Sequence, residues 1–292
     1  MIHNEKILSM MRFCEPMYKH TTFRIGGPCD IWAVPEDLES LSEILKLCIR
    51  DGIPVMAVGN GSNLLVKDQG LKVCLINLDA GSFKDIRIEG DAAEAGAGIS
   101  LTRMLNILCD NGLGGLEFLS GIPATVGGAL AMNAGGGTSI GDSVEQVTVI
   151  DRKGQISDLK KNELVFRYRW SNLEKYIILK AKFKLKKSSH SDVRGKMNKY
   201  LAEKVQNQEL DKPSAGCVFK NPENDSAGRL IDASGLKGKN VGDAAISSKH
   251  ANFIINTGNA RCEDVLELIN IVRDKVKKDY NIELEPEIKI LG

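Results

Sequence analysis

The most constraining feature of this 292-residue sequence is an apolar strand pattern that runs directly into a glycine-rich loop. Val55–Val58 is apolar, and it follows a segment, Asp37–Arg50, whose apolar residues recur at helical spacing. An earlier candidate strand covers Cys29–Val34. Alternating elements of this kind predict an α/β arrangement. The loop itself consists of Gly59, Asn60, Gly61, Ser62, Asn63 and Leu64. Such a loop exposes backbone N–H groups to a phosphate, although a tight turn between two strands would explain it as well.

A second glycine-rich segment, Gly121–Gly137, strengthens the prediction of a phosphate-containing ligand. Proline and paired glycines suit the start of a helix that faces an anion, while close helix packing is the plain alternative. Two such segments suggest a dinucleotide. The candidate cofactor residues here are Gly121, Ile122, Pro123, Thr125, Gly127, Gly128, Asn133 and Ala134. Neither segment matches the G-x-G-x-x-G fingerprint, which disfavours a Rossmann domain of the nicotinamide type.

Periodicity predicts the remaining elements. Helices are expected from Ser100 to Gly112, around Val193–Val205 and at Arg261–Lys278, and the stretch around Pro213 and Pro222 resembles loop. The polar stretch Lys186–Ser191 has no periodicity and suggests a domain boundary. Strands are expected at Val73–Leu78, Val144–Ile150, Gln155–Leu159, Ile177–Leu185 and Ile282–Ile290.

Composition and charge narrow the classes of partner. Hydrophobic residues make up 42% and charged residues 26%, as in ordinary globular proteins. A net charge of +1 gives no electrostatic case for nucleic acid or a membrane surface. The seven cysteines form no C-x-x-C pair, and no signal-peptide pattern opens the sequence, so we expect reduced thiols and a cytoplasmic protein. The four histidines show no metal-binding spacing, so we expect no metal site.

A set of motifs covers nearly the whole chain in order: His20–Gly27, Gly59–Val66, Gly115–Pro123, Asn133–Gly135, Phe166–Ser171, Pro213–Pro222, Gly228–Asp232, Lys249–Phe253 and Leu284–Glu287. These motifs resemble those of the MurB family of UDP-N-acetylenolpyruvoylglucosamine reductases. The cofactor half resembles the wider superfamily of vanillyl-alcohol-oxidase-type flavoproteins.

The resemblance implies an α+β fold with a two-part FAD-binding module of the vanillyl-alcohol-oxidase (PCMH) type and a C-terminal α+β substrate domain. We place these parts at residues 1–80, 81–187 and 188–292. It also implies NADPH-dependent, FAD-mediated reduction of UDP-N-acetylglucosamine enolpyruvate to UDP-N-acetylmuramate in peptidoglycan synthesis. The short segment between Ser171 and Pro213 resembles the form of the family without an extra tyrosine-bearing loop. The expected partners are NADPH and a UDP-sugar, and a monomer is expected.

The resemblance also implies roles for particular side chains. Arg169 matches the catalytic arginine and offers a planar fork suited to a carboxylate, and Tyr168 matches a substrate-contacting position. Cys217 occupies the position of the proton donor, where many relatives have serine. Glu287, in the expected closing strand, matches a catalytic glutamate, with Glu285 as its runner-up.

Lys220 and Asn221 are candidate substrate contacts, and His250 could serve either a ligand or the core. Each catalytic candidate also has a plain structural alternative: a surface arginine, a buried thiol and a solvated glutamate. Two other functions stay open on the sequence. An FAD oxidase of the same superfamily would consume oxygen instead of NADPH. A nucleotide-binding module without turnover would tolerate changes of the three catalytic candidates, Arg169, Cys217 and Glu287.

Overall fold

The structure is a computed structural model that describes the backbone of residues 2–292 and the side chains of residues 5–292. Within that range the helices are α1 Ile2–Ser9, α2 Leu38–Arg50, α3 Leu101–Asp110, α4 Val126–Ala131, α5 His190–Asn207, α6 Ala227–Ala233 and α7 Cys262–Tyr280.

The strands are shorter and more numerous than the helices. They are β1 Met11–Pro16, β2 Pro28–Ala33, β3 Val55–Ala57, β4 Leu64–Val66, β5 Leu71–Ile76, β6 Ile86–Glu89, β7 Ala92–Gly96, β8 Leu113–Gly114, β9 Val144–Ile150, β10 Ile156–Lys160, β11 Phe166–Arg167, β12 Trp170–Ser171, β13 Ile177–Lys184, β14 Lys186–Lys187, β15 Ser214–Cys217, β16 Asn240–Val241, β17 Ala244–Ile246, β18 Phe253–Asn256 and β19 Lys289–Leu291. One four-stranded sheet has the order β1-β2-β5-β3. The mixture of helices and mainly antiparallel strands confirms the predicted α+β class.

The chain forms two compact units, each built from separate segments. Unit 1 contains the chain up to Phe13, Ile31–Asn60 and Val73–Glu203, and unit 2 contains Cys14–Asp30, Gly61–Lys72 and Lys204–Gly292. The three-part division at residues 80 and 187 stays a prediction. The polar stretch after Leu185 begins with an ordered strand, because β14 pairs with β8.

Unit 1 is built around an antiparallel sheet with the order β10-β9-β13-β7-β6. Its helices begin with side-chain caps: Asp37 accepts the N–H of Ser40 at the start of α2, and Ser100 accepts that of Arg103 at the start of α3. Both helices bury one apolar face, as their spacing predicts. The faces consist of Leu41, Ile44, Leu45 and Cys48 in α2, and of Leu101, Met104, Leu105 and Leu108 in α3.

Unit 2 contains an antiparallel sheet with the order β15-β18-β17-β16 and a parallel pair of β4 and β19. Helix α7 buries Val265, Leu268, Ile269, Val272 and Val276 in the core of this unit, as the sequence predicts. The stretch after Pro213, which was expected to be loop, instead contains β15 and α6. Asn221 lies in the segment that connects these two elements. Those two elements span four and seven residues, too few for periodicity to show.

The predicted closing strand at Ile282–Ile290 is wrong over most of its length. A strand forms only at Lys289–Leu291, and Pro286 makes an isolated bridge with Phe219. Proline has no N–H to donate to a ladder, so a continuous strand is broken there. Glu287 therefore lies just before the strand instead of within it.

Candidate active site

The two glycine-rich segments predicted to bind a phosphate meet inside unit 1. The Nδ2 of Asn60 donates to the carbonyl of Pro123 at 3.2 Å. A Cβ added to Gly59 would lie 2.6 Å from the Oγ1 of Thr125, so a larger residue there would have to displace that hydroxyl. The side chain of Asn77 holds the same turn, because its Nδ2 donates to the carbonyls of Val58 and Gly59, each at 3.0 Å. No sequence motif singles out Asn77, since its bonds reach residues 18 and 19 positions away in the chain.

The start of α4 differs from the prediction. The helix begins at Val126 with Thr125 as its cap, so Pro123 lies before the helix instead of in its first turn. The N–H groups of Val126 and Gly127 donate to the carbonyls of Ile99 and Ala97, and that of Gly128 donates to the Oγ1 of Thr125. These N–H groups are engaged within the protein, and they do not support the anion-binding helix end that the paired glycines suggested. A Cβ on Gly127 would lie 3.0 Å from the Cβ of Ala97. Close packing of the helix therefore explains the glycine at this position. Gly121, Ile122, Gly127, Gly128 and Ala134 stay predicted cofactor contacts.

The remainder of the first loop belongs to unit 2, where glycine is required by both space and backbone angle. Gly61 has φ 63°, and a Cβ there would lie 2.1 Å from the carbonyl oxygen of His20. The side chain of Asn63 donates through Nδ2 to the carbonyl of Glu287 at 3.1 Å, and the backbone carbonyl of Asn63 accepts the N–H of Lys289. Leu64 opens β4. A predicted cofactor residue, Asn63, is thus bonded directly to a predicted catalytic residue.

Tyr168 and Arg169 form the two-residue tip of the hairpin between β11 and β12. Arg169 has φ 56°, a left-handed conformation that costs a non-glycine residue about 1–2 kcal/mol. Its Nη1 donates to the carbonyl of Gly135 at 2.8 Å, and its guanidinium lies 5.3 Å from the ring centre of Tyr168. The half-buried cation is therefore placed by the turn, the hydrogen bond and the ring together, and the Tyr168 side chain is 50% exposed beside it.

Cys217 ends β15, on the outer strand of the sheet in unit 2, opposite Phe253. The pairing of β15 with β18 is irregular at this point, and the preceding Gly216 has φ 77°. Cys217 is half-buried, whereas Cys29 and Cys262 are buried. A strand end with a bulge and partial exposure leaves the Cys217 thiol accessible.

Glu287 lies next to the Cys217 segment, because its N–H donates to the carbonyl of Val218 at 2.7 Å. The neighbouring Lys220 is bonded to Glu285 twice: through its own N–H to the Glu285 carbonyl, and through Nζ to the Glu285 carboxylate at 3.2 Å. The structure therefore brings Cys217, Lys220 and Glu287 together within unit 2, and it pairs the exposed Glu285 with a lysine.

Two asparagines hold this segment. Asn252 is buried, donates to the carbonyl of Phe219 and accepts the N–H of the same residue at 2.8 and 2.9 Å. Asn221 accepts the N–H of Ala227 at the start of α6. His250 packs edge-on to Phe253, and burial lowers its pKa, which favours the core explanation for this histidine over a ligand contact.

Comparison with known proteins decides the family. Residues 29–160 match the family model of an FAD binding domain, and residues 208–291 match that of the C-terminal domain of UDP-N-acetylenolpyruvoylglucosamine reductase. The curated reductase of Caldanaerobacter subterraneus subsp. tengcongensis is 42% identical over 281 residues, 95% of this chain and 92% of the relative. The chain belongs to the UDP-N-acetylenolpyruvoylglucosamine reductase family.

Further relatives agree with this assignment. The reductase of Clostridium novyi is 40% identical over 94% of this chain and 90% of its own length. The crystal structure of UDP-N-acetylenolpyruvylglucosamine reductase (MurB) from Thermus caldophilus is 37% identical, with a TM-score of 0.83 over 97% of this chain and 98% of that chain. The predicted FAD-binding module and C-terminal reductase module are thereby confirmed.

The candidate residues of the reductase divide between the matched regions. The first matched region, residues 29–160, contains both glycine-rich segments. The second, residues 208–291, contains Cys217, Lys220, Asn221 and Glu287. Tyr168 and Arg169 lie outside both, in the connecting stretch.

None of the helices within residues 2–292 has the length and apolar character that a membrane span needs. Ligand-type atoms of Cys109, Asp110 and His190 lie within 4.8 Å of one another. Arg194 lies 3.5 Å from the Asp110 carboxylate and already supplies a cation there.

Proposed function

We propose that this chain reduces UDP-N-acetylglucosamine enolpyruvate to UDP-N-acetylmuramate, a step of peptidoglycan synthesis, with FAD as cofactor and NADPH as reductant. The observation that carries the proposal is the extent of the match: a relative named for this reductase aligns with 95% of this chain and 92% of its own length. Such coverage leaves no large domain of the relative without a counterpart.

The junction of the two glycine-rich segments fits a dinucleotide. Gly59 packs against the Thr125 hydroxyl and has no side chain, which leaves the loop backbone bare. A bare backbone can approach a pyrophosphate closely. When bound, FAD supplies the redox chemistry, by accepting hydride from NADPH and giving it to the vinyl carbon of the substrate. Everything else in the reaction falls to the side chains of this chain.

Arg169 is proposed to stabilise the negative charge that develops on the enolpyruvyl group. Hydride addition to the terminal vinyl carbon leaves an electron pair on the neighbouring carbon, and this pair delocalises into the attached carboxylate. A guanidinium fork matches a carboxylate better than a point charge does. A cation that is already oriented needs no reorganisation as the charge forms. The hydrogen bond to Gly135 and the Tyr168 ring support this role, because they orient the guanidinium in advance.

Cys217 is proposed to protonate the carbon that carries this electron pair. A thiol can donate a proton, and with a reference pKa near 8.5 it is more acidic than the serine hydroxyl of many relatives. Its half-buried place at the end of β15 supports access to a ligand. Glu287 is proposed to share a proton with the developing carboxylate as a positioned acid. Its backbone bond to Val218, the neighbour of Cys217, supports this role.

Tyr168, Lys220 and Asn221 are proposed to contact the UDP-sugar. Lys220 supplies a positive charge for its phosphates, although in the structure its Nζ is paired with Glu285. A substrate phosphate would therefore displace that carboxylate. We also propose that the enzyme acts as a cytoplasmic monomer, which mass measurement in solution would test.

An anaerobic absorbance titration of the purified protein tests the proposed function. NADPH should bleach the absorbance of the bound flavin, and UDP-N-acetylglucosamine enolpyruvate should then restore it. Bleaching without restoration would reject the substrate while keeping the flavoprotein. Bound flavin that NADPH does not bleach would favour the oxidase of the same superfamily. Absence of protein-bound flavin after FAD is added and the excess removed would leave the nucleotide-binding module without turnover.

A further inference from the structure

The hairpin that carries Arg169 is fastened to one short stretch of chain, residues 131–135, by three side-chain hydrogen bonds. The Nδ2 of Asn133 donates to the carbonyl of Arg167 at 3.0 Å. The Oγ of Ser171 donates to the carbonyl of Ala131 at 3.1 Å, and Arg169 itself donates to that of Gly135 at 2.8 Å. The hairpin is only two residue pairs long, so its own ladder fixes it weakly. Its orientation therefore depends on this anchor.

Asn133 has the features of a positioning residue. It is 8% exposed, and its Oδ1 accepts the N–H of Gly141 at 3.1 Å while its Nδ2 reaches the hairpin. Its backbone has φ 45°, a conformation that favours glycine but that asparagine tolerates. Glycine would meet the backbone requirement and make neither bond. Bonding to both Arg167 and Gly141 requires a short side chain with one donor and one acceptor.

We propose that Asn133 is a positioning residue of the reaction, which holds the hairpin so that Arg169 meets the carboxylate of the substrate. This inference rests on the proposed function of Arg169. It differs from the cofactor contact that the sequence suggested, because the side-chain amide of Asn133 is engaged with the hairpin and with Gly141. The reaction step affected is therefore the transfer to the substrate and not the reduction of the flavin by NADPH.

The kinetic test uses Asn133→Asp, which keeps the shape and the acceptor for Gly141 but replaces the donor to Arg167 with a carboxylate oxygen. Asn133→Gly, which suits the backbone angle, is the second variant in case the first misfolds. We expect the substrate to reoxidise the reduced flavin roughly tenfold to a hundredfold more slowly, as for other small misplacements of a catalytic group. Flavin reduction by NADPH should remain at the wild-type rate. Equal slowing of both half-reactions would overturn the proposal.

A double-mutant cycle separates positioning from a merely structural effect. If Asn133 acts through Arg169, Asn133→Asp should cause no further loss in an Arg169→Ala background. Losses that multiply would show that the two residues act independently and would overturn the inference. Reoxidation at the wild-type rate in Arg169→Ala alone would instead refute the proposed function of Arg169, and the positioning role would fall with it.

Hydrogen exchange gives a readout that does not depend on activity. The amides of residues 166–171 should exchange faster in Asn133→Asp and Asn133→Gly than in the wild type. The matched control is Asn256→Asp in unit 2, since Asn256 is 5% exposed and also bridges backbone groups, donating to Phe23 and accepting from Gly258 and Ala260. That variant should lower stability without altering exchange in the hairpin. Unchanged hairpin exchange in both Asn133 variants would contradict the anchoring role.

Discussion

At the scale of single residues, the thiols of this chain differ in accessibility and in acidity. Burial raises the pKa of Cys29 and of Cys262 to about 11, so both stay protonated and unreactive at neutral pH. Cys217 is half-buried at a strand end, and Cys14 is exposed. The proposed proton donor, Cys217, is thus one of the accessible thiols of the chain.

Replacement of Cys217 tests its role as the acid. Cys217→Ala should leave flavin reduction by NADPH intact and slow the transfer to substrate by about 10²–10⁴-fold, the usual contribution of a general acid. Cys217→Ser restores a proton donor and should keep activity within about tenfold of the wild type, or about 1.4 kcal/mol in barrier. Stopped-flow absorbance would follow both half-reactions. Normal reoxidation in the alanine variant would remove Cys217 from the mechanism.

Replacement of Arg169 tests the need for a planar fork. Arg169→Lys keeps the charge but loses the bidentate geometry, so we expect a fall in kcat for the substrate reaction of more than about tenfold. The left-handed backbone at φ 56° is unchanged by this exchange, so the melting temperature should stay close to that of the wild type. Near-normal kinetics with a folded variant would contradict the assignment.

At the scale of elements, the loop from Gly59 to Asn63 combines a bare backbone with tight surroundings. A Cβ at Gly61 would meet the His20 carbonyl oxygen at 2.1 Å, whereas a Cβ at Gly52 would meet nothing within 4 Å. Both glycines have a left-handed φ, 63° and 67°. The pair therefore separates the cost of the backbone angle from the cost of crowding.

This pair of glycines gives a prediction about cofactor binding. Gly52→Ala should lower the free energy of unfolding by about 1–2 kcal/mol, the cost of a left-handed alanine, and leave FAD affinity unchanged. Gly61→Ala should cost more stability and weaken FAD binding, because the loop must move away from His20. Thermal unfolding and flavin fluorescence titration measure the two effects. Equal FAD affinity in both variants would separate this loop from the cofactor.

The elements also show what the sequence could predict. The long amphipathic helices α2, α3 and α7 lie within two residues of their predicted bounds, because a buried stripe and a cap fix them locally. A strand was expected at Ile282–Ile290, but it forms only at Lys289–Leu291. The prediction rested on the alternation of apolar residues and did not take Pro286 into account.

Within the site, local motifs predicted which residue types to single out but not what they touch. The contacts of Asn60 with Pro123 and of Asn63 with Glu287 join residues far apart in the chain. Asn77 carried no motif at all. Asn133 connects Arg167 and Gly141 through its side chain, and the glycine-rich sequence around it did not predict these bonds. Side chain to backbone bonds of this kind depend on tertiary structure and leave no periodic signal.

At the scale of the whole molecule, the distribution of thiols predicts selective chemical modification. Five cysteines are buried, while Cys14 is exposed and Cys217 is half-buried. In a Cys14→Ser variant, iodoacetamide should therefore label Cys217 first, abolish transfer to the substrate and spare flavin reduction by NADPH. Peptide mass mapping identifies the labelled site. Full activity after stoichiometric labelling of Cys217 would contradict its role, and labelling of a buried cysteine first would contradict the accessibility.

The parallel pair of β4 and β19 has a consequence for synthesis on the ribosome. Leu64–Val66 is synthesised early. Its partner strand Lys289–Leu291 is synthesised only after Val73–Glu203 of unit 1 and most of the C-terminal segment of unit 2, because both lie between the two strands in the sequence. Until then β4 is a nascent strand with an open edge, which is a site for association with other chains. A premature stop codon anywhere before Lys289 would leave that edge open permanently. We expect such truncated products to depend on chaperones or to be degraded, even when every residue of the proposed active site has been translated.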